Sequence, residues 1–186
     1  MRVVGGRFKG LAFHTPSDDA IRPSSDRLRE AVFNVLAHRF DDPAEGARVL
    51  DLFAGTGALG IEALSRGARS ALFIDMSAAA RALVRRNLEA AGIMGLARIS
   101  KRDATHLGPA GGAGGFSLAF LDPPYGKQLA DKALAQLAGG GWLAPGALLV
   151  VEERTGVEIA LPRAFCLLDR RQYGDSQVLF LRYAES

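Results

Sequence analysis

The chain has a single cysteine, Cys166, among its 186 residues, so no internal disulfide can form. We expect Cys166 to be a small buried side chain on a strand. The three histidines are scattered without metal-ligand spacing, and we infer no metal site. Apolar runs such as Ala147 to Val151 are too short to cross a bilayer, and the N-terminus has no apolar stretch of signal-peptide length. A soluble cytoplasmic protein is therefore expected.

Length and composition favour one domain. The 186 residues, of which 48% are hydrophobic, can form one sizeable core and are too few for two domains of typical size. No internal repeat is visible, and we expect a monomer. Residues 108–115 are rich in glycine, which is entropically costly to order, so this segment is predicted to be a flexible surface connection without an assigned function.

Strand-like apolar runs alternate with helical patterns along the chain. A helix capped by Ser77 should end at Gly92, and another is predicted at about residues 127–138, before the glycines at 139–141. The alternation predicts a doubly wound, mostly parallel sheet. The last two strands leave no room for a helix between them, so they should form an antiparallel hairpin. Strands are predicted at residues 48–53, 71–75, 97–101, 116–122, 147–152, 165–172 and 177–183.

The fourth predicted strand runs into Asp122-Pro123-Pro124-Tyr125, which resembles the catalytic tetrapeptide of enzymes that methylate exocyclic amines of nucleobases. Such an amine is a weak nucleophile, because its lone pair is delocalised into the ring. Asp122 and the carbonyl of Pro123 could each accept one N–H bond and so orient the lone pair. The two prolines stiffen the exit from the strand, and Tyr125 offers a face on which a base can stack. The alternative is an ordinary turn with a capping aspartate.

A second motif lies some seventy residues upstream, where the apolar strand from Val49 runs into the glycine-rich segment Asp51 to Gly60. Its glycines permit a tight turn, and the helix that follows, expected to stop at Gly67, presents N–H groups to an anionic ligand. The next strand ends at Asp75, where a carboxylate can accept hydrogen bonds from ribose hydroxyls. As G-x-G-x-x-G, the motif also fits a dinucleotide site, so the residues alone leave the cofactor open.

Three features favour S-adenosylmethionine over a nicotinamide. An acid precedes the glycines, since Asp51-x-x-x-Gly55-x-Gly57 resembles the first motif of class I methyltransferases, in which this acid lies near the methionine end of the cofactor. Asp103 and Ala104 follow a short strand, at the place where that fold contacts the adenine. The chain is also too short for the separate substrate domain of most dehydrogenases.

The first forty residues hold all of the net positive charge. They contain seven Arg or Lys against four Asp or Glu, whereas residues 41–186 contain sixteen of each. The basic residues that could meet nucleic-acid phosphates are Arg2, Arg7, Lys9, Arg22, Arg27 and Arg29. The alternative is that Arg27 and Arg29 occupy the solvent side of an amphipathic helix and form only local ion pairs.

Four motifs together resemble the RsmD family: residues 1–10, residues 22–34, the Asp51 to Gly67 segment and the tetrapeptide at 122–125. The resemblance covers most of the chain, in order. It implies a class I S-adenosylmethionine-dependent methyltransferase of Rossmann-like fold: a mostly parallel seven-stranded sheet, a C-terminal antiparallel hairpin and a basic extension at 1–40, formed by a hairpin and a helix and packed on residues 41–186. The implied activity is methylation of guanine N2 in small-subunit ribosomal RNA.

The same resemblance implies roles for individual residues. The catalytic residues are then Asp122, Pro123, Pro124 and Tyr125, and the N-terminal basic residues contact RNA. Some relatives have Phe in place of Tyr125, which supports stacking rather than a role for its hydroxyl. Two alternatives stay open, an adenine-N6 DNA methyltransferase and a non-catalytic RNA-binding assembly factor. The expected cofactor contacts are Asp51, Phe53, Ala54, Gly55, Thr56, Gly57, Asp75, Met76, Asp103 and Ala104.

Overall fold

The structure, a computed structural model, describes residues 1–17 and 25–184. Within these ranges, helices and strands alternate along the chain as the sequence predicts. Short 3₁₀ helices lie at Met94–Leu96, Ala104–His106 and Gly111–Ala113. The main elements are α1 Asp26–Arg39, β1 Arg48–Leu52, α2 Ala58–Ser65, β2 Ser70–Ile74, α3 Ala78–Ala91, β3 Ala97–Ser100, β4 Phe116–Leu121, α4 Leu129–Gly139, β5 Leu143–Arg154, β6 Phe165–Tyr173 and β7 Ser176–Tyr183.

The seven strands form one sheet in the order β3-β2-β1-β4-β5-β7-β6. Strands β1 to β5 are parallel, whereas β7 lies antiparallel to both β5 and β6. This arrangement confirms the predicted class I methyltransferase fold and its C-terminal hairpin. The strand order reverses between β1 and β4, and ligands of open α/β sheets bind outside the carboxyl ends of the strands at such a point.

Both faces of the sheet are covered, so the central strands are apolar on both sides. On one face, Phe33 of α1 and Ile61 of α2 pack with Phe120 of β4. On the other, Leu134 of α4 and Trp142 pack with the opposite sides of the same strands. Val3 and Phe13 belong to the first of these clusters, so the N-terminal segment is part of the core that carries the sheet.

The first thirteen residues fold back on themselves and dock on α2. Arg2 and Ala12 form an antiparallel bridge. The buried carboxylate of Glu62 then accepts the backbone N–H groups of Val4 and Gly5 at 2.9 and 2.8 Å. The position of this segment is therefore fixed by a charged group that lies inside the protein.

Strand β5 begins four residues earlier than the apolar run predicts. Leu143 pairs with Phe116, and the register then shifts before Leu148 pairs with Leu118. The extra residues include Pro145 and Gly146, which sequence patterns assign to turns, and here they form an irregularity within the strand.

Residues 108–115 lie mostly at the surface, and hydrogen bonds attach both ends of the segment to the rest of the fold. The indole N–H of Trp142 donates to the carbonyl of Gly108 at 2.9 Å, and Arg48 donates to the carbonyl of Gly114 at 2.6 Å. A Cβ at Gly114 would collide with the carbonyl of Gly141. Glycine at position 114 therefore permits the close approach of two backbone segments.

Cys166 is exposed, so the prediction of a buried side chain is wrong. It lies on β6 at the edge of the sheet, where Phe165 points into the core and the next side chain points outward. Within residues 1–17 and 25–184, no helix combines the length and the apolar character needed to cross a membrane.

Candidate active site

The carboxyl ends of four neighbouring strands bring the predicted site together. In the sheet register, Leu52 pairs with Ile74 and with Leu121, and Leu121 pairs with Val151. The residues that follow are therefore aligned along one edge, with about 5 Å between adjacent strands. In spatial order they are Asp75, Phe53, Asp122 and Glu152.

A cavity of about 1510 Å³ opens at this edge. This volume exceeds the range of roughly 300–1,000 Å³ that is usual for one small ligand, so a cofactor leaves room for part of a second molecule. The cavity walls come from the glycine-rich loop, α3, the tetrapeptide, the N-terminal segment and the β6–β7 turn. Lining residues include Thr15, Ser17, Arg27, Asp51, Phe53, Ala54, Gly55, Thr56, Asp75, Arg86, Asp122, Pro123, Pro124, Tyr125, Glu152, Tyr173, Asp175 and Ser176.

The glycine-rich loop is held by the acid that ends the next strand. The backbone N–H of Gly55, whose φ of 58° is left-handed, donates to Oδ2 of Asp75 at 3.0 Å. Ser77, which caps α3 through its hydroxyl, also donates its N–H to Oδ1 of Asp75 at 2.8 Å. A carboxylate has about four acceptor positions, so Asp75 can hold the loop and still accept a bond from a ligand hydroxyl.

Asp51 lies deeper, with 1% of its surface exposed, at the floor of the same cavity. Burial raises its pKa to about 8; the hydrogen bond from Gly60 opposes this shift and the nearby charge of Asp75 adds to it. The carboxyl group is therefore largely protonated at neutral pH, until a positively charged ligand favours its ionised form.

The tetrapeptide presents its functional groups to the cavity. Asp122 is half-buried, Pro123 is buried, and Pro124 is exposed. The phenolic hydroxyl of Tyr125 donates to Oε1 of Glu152 at 2.5 Å. Asp122 and the Tyr125 ring thus face the space into which the glycine-rich loop also opens.

The N-terminal segment contributes one wall of the cavity. The side chain of Asn87 in α3 accepts the N–H of His14 at 2.6 Å and donates to the carbonyls of His14 and of Thr56, at 3.1 and 2.9 Å. One buried amide therefore joins the segment to the glycine-rich loop. Residues 15–17, which follow, line the cavity.

Four predicted cofactor contacts lie outside the cavity lining. Gly57 is behind the loop at the start of α2, with a left-handed φ of 79°, and Met76 is 54% exposed. Asp103 caps a 3₁₀ helix, and its hydrogen bonds with Thr105 hold the pKa of its carboxyl below the usual range. Ala104 is buried. Because β3 adjoins β2, Asp103 lies along the same edge as Asp75, and its contact with the adenine stays a prediction.

The basic residues predicted to contact RNA differ in their exposure to solvent. Arg2, Arg7, Lys9 and Arg27 are exposed, and Arg27 lines the cavity. Arg29, in contrast, is fully buried and pairs with Glu62 at 3.3 Å and with Asp26 at 2.8 Å. The expectation that Arg29 is available to phosphates is therefore wrong, and so is the alternative that it lies on the solvent side of α1. Arg22 lies outside the described residues.

The sequence analysis did not identify four residues that belong to the site or support it. Glu152 follows an apolar strand directly, as Asp75 and Asp122 do, so the same signal could have identified it. Ser176 and Asn87 carry no such signal, because only the fold brings Ser176 to the cavity and places Asn87 between His14 and Thr56. Arg86 lines the cavity, as Arg27 does, although its helical spacing predicts only that it is a polar residue of α3.

Sequence and structure comparisons place the chain among known proteins. The profile of the family described as Conserved hypothetical protein 95 matches residues 1–182. Ribosomal RNA small subunit methyltransferase D of Escherichia coli K12 is 38% identical over 162 residues, which cover 87% of this chain and 78% of that protein.

The chain belongs to this family, the RsmD family. The protein of the same name from Haemophilus influenzae is 29% identical over 94% of this chain and 89% of its own length. The solved structure of the Escherichia coli protein yhhF superposes with a TM-score of 0.85 at 31% identity, and covers 100% of this chain and 99% of that one.

S-adenosylmethionine is the methyl donor of this RsmD protein. The residues present fit this cofactor, because the cavity combines a glycine-rich turn at the start of α2 with two acids that suit its ribose hydroxyls and its positive charges. Asp75 and Asp51 are the residues that would hold those groups. Among the residues that the structure describes, no three or more His, Cys, Asp or Glu side chains are grouped to hold a metal ion.

Proposed function

We propose that the protein transfers a methyl group from S-adenosylmethionine to the exocyclic N2 amine of a guanine in small-subunit ribosomal RNA. The observation that carries this proposal is the position of Asp122-Pro123-Pro124-Tyr125, which shares one cavity with the glycine-rich loop. The name of the Escherichia coli relative supports ribosomal RNA as the substrate. Such an enzyme would work in the cytoplasm, and as a monomer.

The cofactor supplies an electrophilic methyl group on a sulfonium. The protein's own residues prepare the nucleophile: Asp122 and the carbonyl of Pro123 each accept one N–H bond from the amine, which turns its lone pair toward the methyl group. Transfer forms the N–C bond as the S–C bond breaks. The sulfur of the bound cofactor would keep the electron pair of the broken S–C bond. The proton that the methylated amine loses would pass to the Asp122 carboxylate, which already accepts that N–H, and from there to solvent. The negative charge of Asp122 offsets the positive charge that develops on nitrogen, an effect worth roughly 3–4 kcal/mol when such preorganised groups are removed.

The base must leave its stack to reach this clamp. Extrusion costs a few kcal/mol, and stacking on Tyr125 offsets part of it, since base–aromatic contacts are worth roughly 1–3 kcal/mol. Two exposed basic side chains line the cavity, Arg27 on α1 and Arg86 on α3. These residues, with Arg2, Arg7 and Lys9, are the groups that would meet the RNA phosphates.

The test is to incubate the protein with methyl-labelled S-adenosylmethionine and three acceptors: small ribosomal subunits that lack base methylation, the ribosomal RNA extracted from them, and adenine-containing duplex DNA. We expect label in the RNA of at least one ribosomal acceptor and none in DNA. Label in DNA alone would support the adenine-N6 alternative. RNA binding without label in any acceptor would support the assembly factor.

A further inference from the structure

The Tyr125 hydroxyl lies in a small polar network at the cavity wall. It is 2.5 Å from Oε1 of Glu152 and 2.7 Å from the hydroxyl oxygen of Ser176. Ser176 in turn donates to the same Glu152 oxygen at 3.2 Å. Glu152 is 9% exposed and Ser176 is 6% exposed, so the three groups satisfy one another where little water competes.

Two adjacent glutamates hold the tetrapeptide loop from both faces of the sheet. Glu152 holds the side chain of Tyr125, while Oε1 of Glu153 accepts the backbone N–H of Gly126 at 3.2 Å. Successive side chains of a strand point to opposite faces, so these two contacts restrain the loop from either side of β5. The hydroxyl end of the Tyr125 ring is thereby held at Glu152, and the backbone that follows the ring is held at Glu153.

We propose that Glu152 and Ser176 are positioning residues, which hold the Tyr125 ring at the angle needed to receive the extruded base. This inference rests on the proposed function. It also gives the hydroxyl of Tyr125 a role that stacking alone does not need. Glu152 acts through Tyr125 in this account and does not itself contact the base.

A double-mutant cycle tests this arrangement. Glu152→Ala, Tyr125→Phe and the combined variant are compared for single-turnover methyl transfer to unmethylated small subunits at saturating S-adenosylmethionine. Each single variant should lose about tenfold in rate, since misplacing a positioned group by about 1 Å can cost up to a hundredfold. The combined variant should lose no more than either one, because both changes remove the same restraint. If the losses multiply instead, Glu152 acts on the substrate independently, and the proposal is overturned.

Further variants separate positioning from a general loss of structure. Glu152→Gln retains an acceptor oxygen and should recover the rate to within about threefold, and Ser176→Ala should lose less than Glu152→Ala. S-adenosylmethionine affinity should stay within about twofold throughout. Glu158→Ala removes an exposed glutamate after β5 and should behave as the unchanged protein does. If each loss of rate is accompanied by a matching loss of cofactor affinity or of melting temperature, the positioning role is contradicted.

A measurement on the free protein tests the hydrogen bond between Tyr125 and Glu152 without an activity assay. The ζ-carbon resonance of Tyr125, in protein labelled with ¹³C-tyrosine, should shift in Glu152→Ala and return toward its original position in Glu152→Gln. An unchanged resonance in Glu152→Ala would overturn the inference. If the unaltered protein transfers no methyl group to any RNA, the proposed function fails, and the network is judged on this resonance alone.

Discussion

The backbone N–H of Gly60 donates a hydrogen bond to Oδ2 of Asp51 at 3.0 Å, across the turn that joins β1 to α2. A side chain at position 60 would collide with the ring of Phe73 and would lie 3.0 Å from the same carboxylate oxygen. The third glycine of the motif is thus needed for packing of the helix against the strand. It also provides a hydrogen bond that favours the ionised form of a buried acid whose pKa is about 8.

We predict that S-adenosylmethionine binding tightens as the pH rises toward 8. Below that pH, Asp51 is protonated in the free protein, and a positively charged ligand favours its ionised form, so binding releases a proton. The affinity should increase by up to about tenfold per pH unit below about pH 8, and level off above that pH. Titration calorimetry in two buffers of different ionisation enthalpy measures both the affinity and the proton released.

Asp51→Asn provides the control, because the amide cannot ionise. This variant should bind more weakly at pH 8 and show no proton release. In the ligand-free protein, the unfolded state loses the Asp51 proton at a lower pH than the folded state does. The free energy of unfolding should therefore fall as the pH rises from 3.8 to about 8. Asp51→Asn should lack this pH dependence. Equal pH dependence in the two proteins would show that another group is responsible.

Asp122→Ala should remove nearly all turnover while leaving cofactor affinity within a few-fold. The carboxylate accepts an amine N–H and offsets charge that develops during transfer, so its removal should cost two to three orders of magnitude in rate, as is typical of such groups. Single-turnover assays and cofactor titration give the two quantities separately. Asp175→Ala, which removes another acid that lines the cavity, should have a much smaller effect on rate. Turnover in Asp122→Ala equal to that of the unaltered protein would refute the clamp.

Replacing two arginines of α1 should affect two different properties. Loss of Arg29 should lower stability, whereas loss of Arg27 should reduce the salt dependence of RNA binding. Arg29→Met leaves Glu62 buried with one charged partner fewer, and breaking such a pair costs about 3–5 kcal/mol of stability. Arg27→Ala removes an exposed side chain, so it should change stability by less than about 0.5 kcal/mol. If Arg27 meets a phosphate, its removal should reduce the salt slope of RNA binding by about 1. Thermal unfolding and RNA binding at several salt concentrations measure both effects.

The prediction for this pair fails if Arg29→Met is as stable as the unaltered protein, or if Arg27→Ala leaves the salt dependence unchanged. Lys132→Ala is a suitable control, because Lys132 is exposed on α4 and does not line the cavity. Its removal should affect neither quantity.

Local sequence signals were sufficient to predict the strand and helix order and the position of the two main motifs. The glycine-rich segment and the tetrapeptide each follow an apolar strand, and parallel strands necessarily bring their carboxyl ends to one edge. The alternation of elements also excluded a helix between β6 and β7. These features depend on residues that are close together in the sequence, and each was therefore visible in the chain itself.

What the sequence could not show depends on residues far apart along the chain. Arg29 looks like any polar residue of an amphipathic helix, and only its pairing with Glu62, 33 residues later, reveals a buried cluster. Likewise, Ser176 meets Tyr125 across 51 residues. The predicted start of β5 was too late, because Pro145 and Gly146, which are typical of turns, lie within an irregular part of the strand.

The most direct test of the proposed activity is the identity of the methylated nucleoside. Unmethylated small ribosomal subunits are incubated with methyl-labelled S-adenosylmethionine and the protein, and the ribosomal RNA is digested to nucleosides, which are separated and identified. The account predicts label in N2-methylguanosine, and loss of that label with Asp122→Ala. Label in a methylated adenosine, or in guanosine methylated at another atom, would contradict the assignment of the clamp to guanine N2.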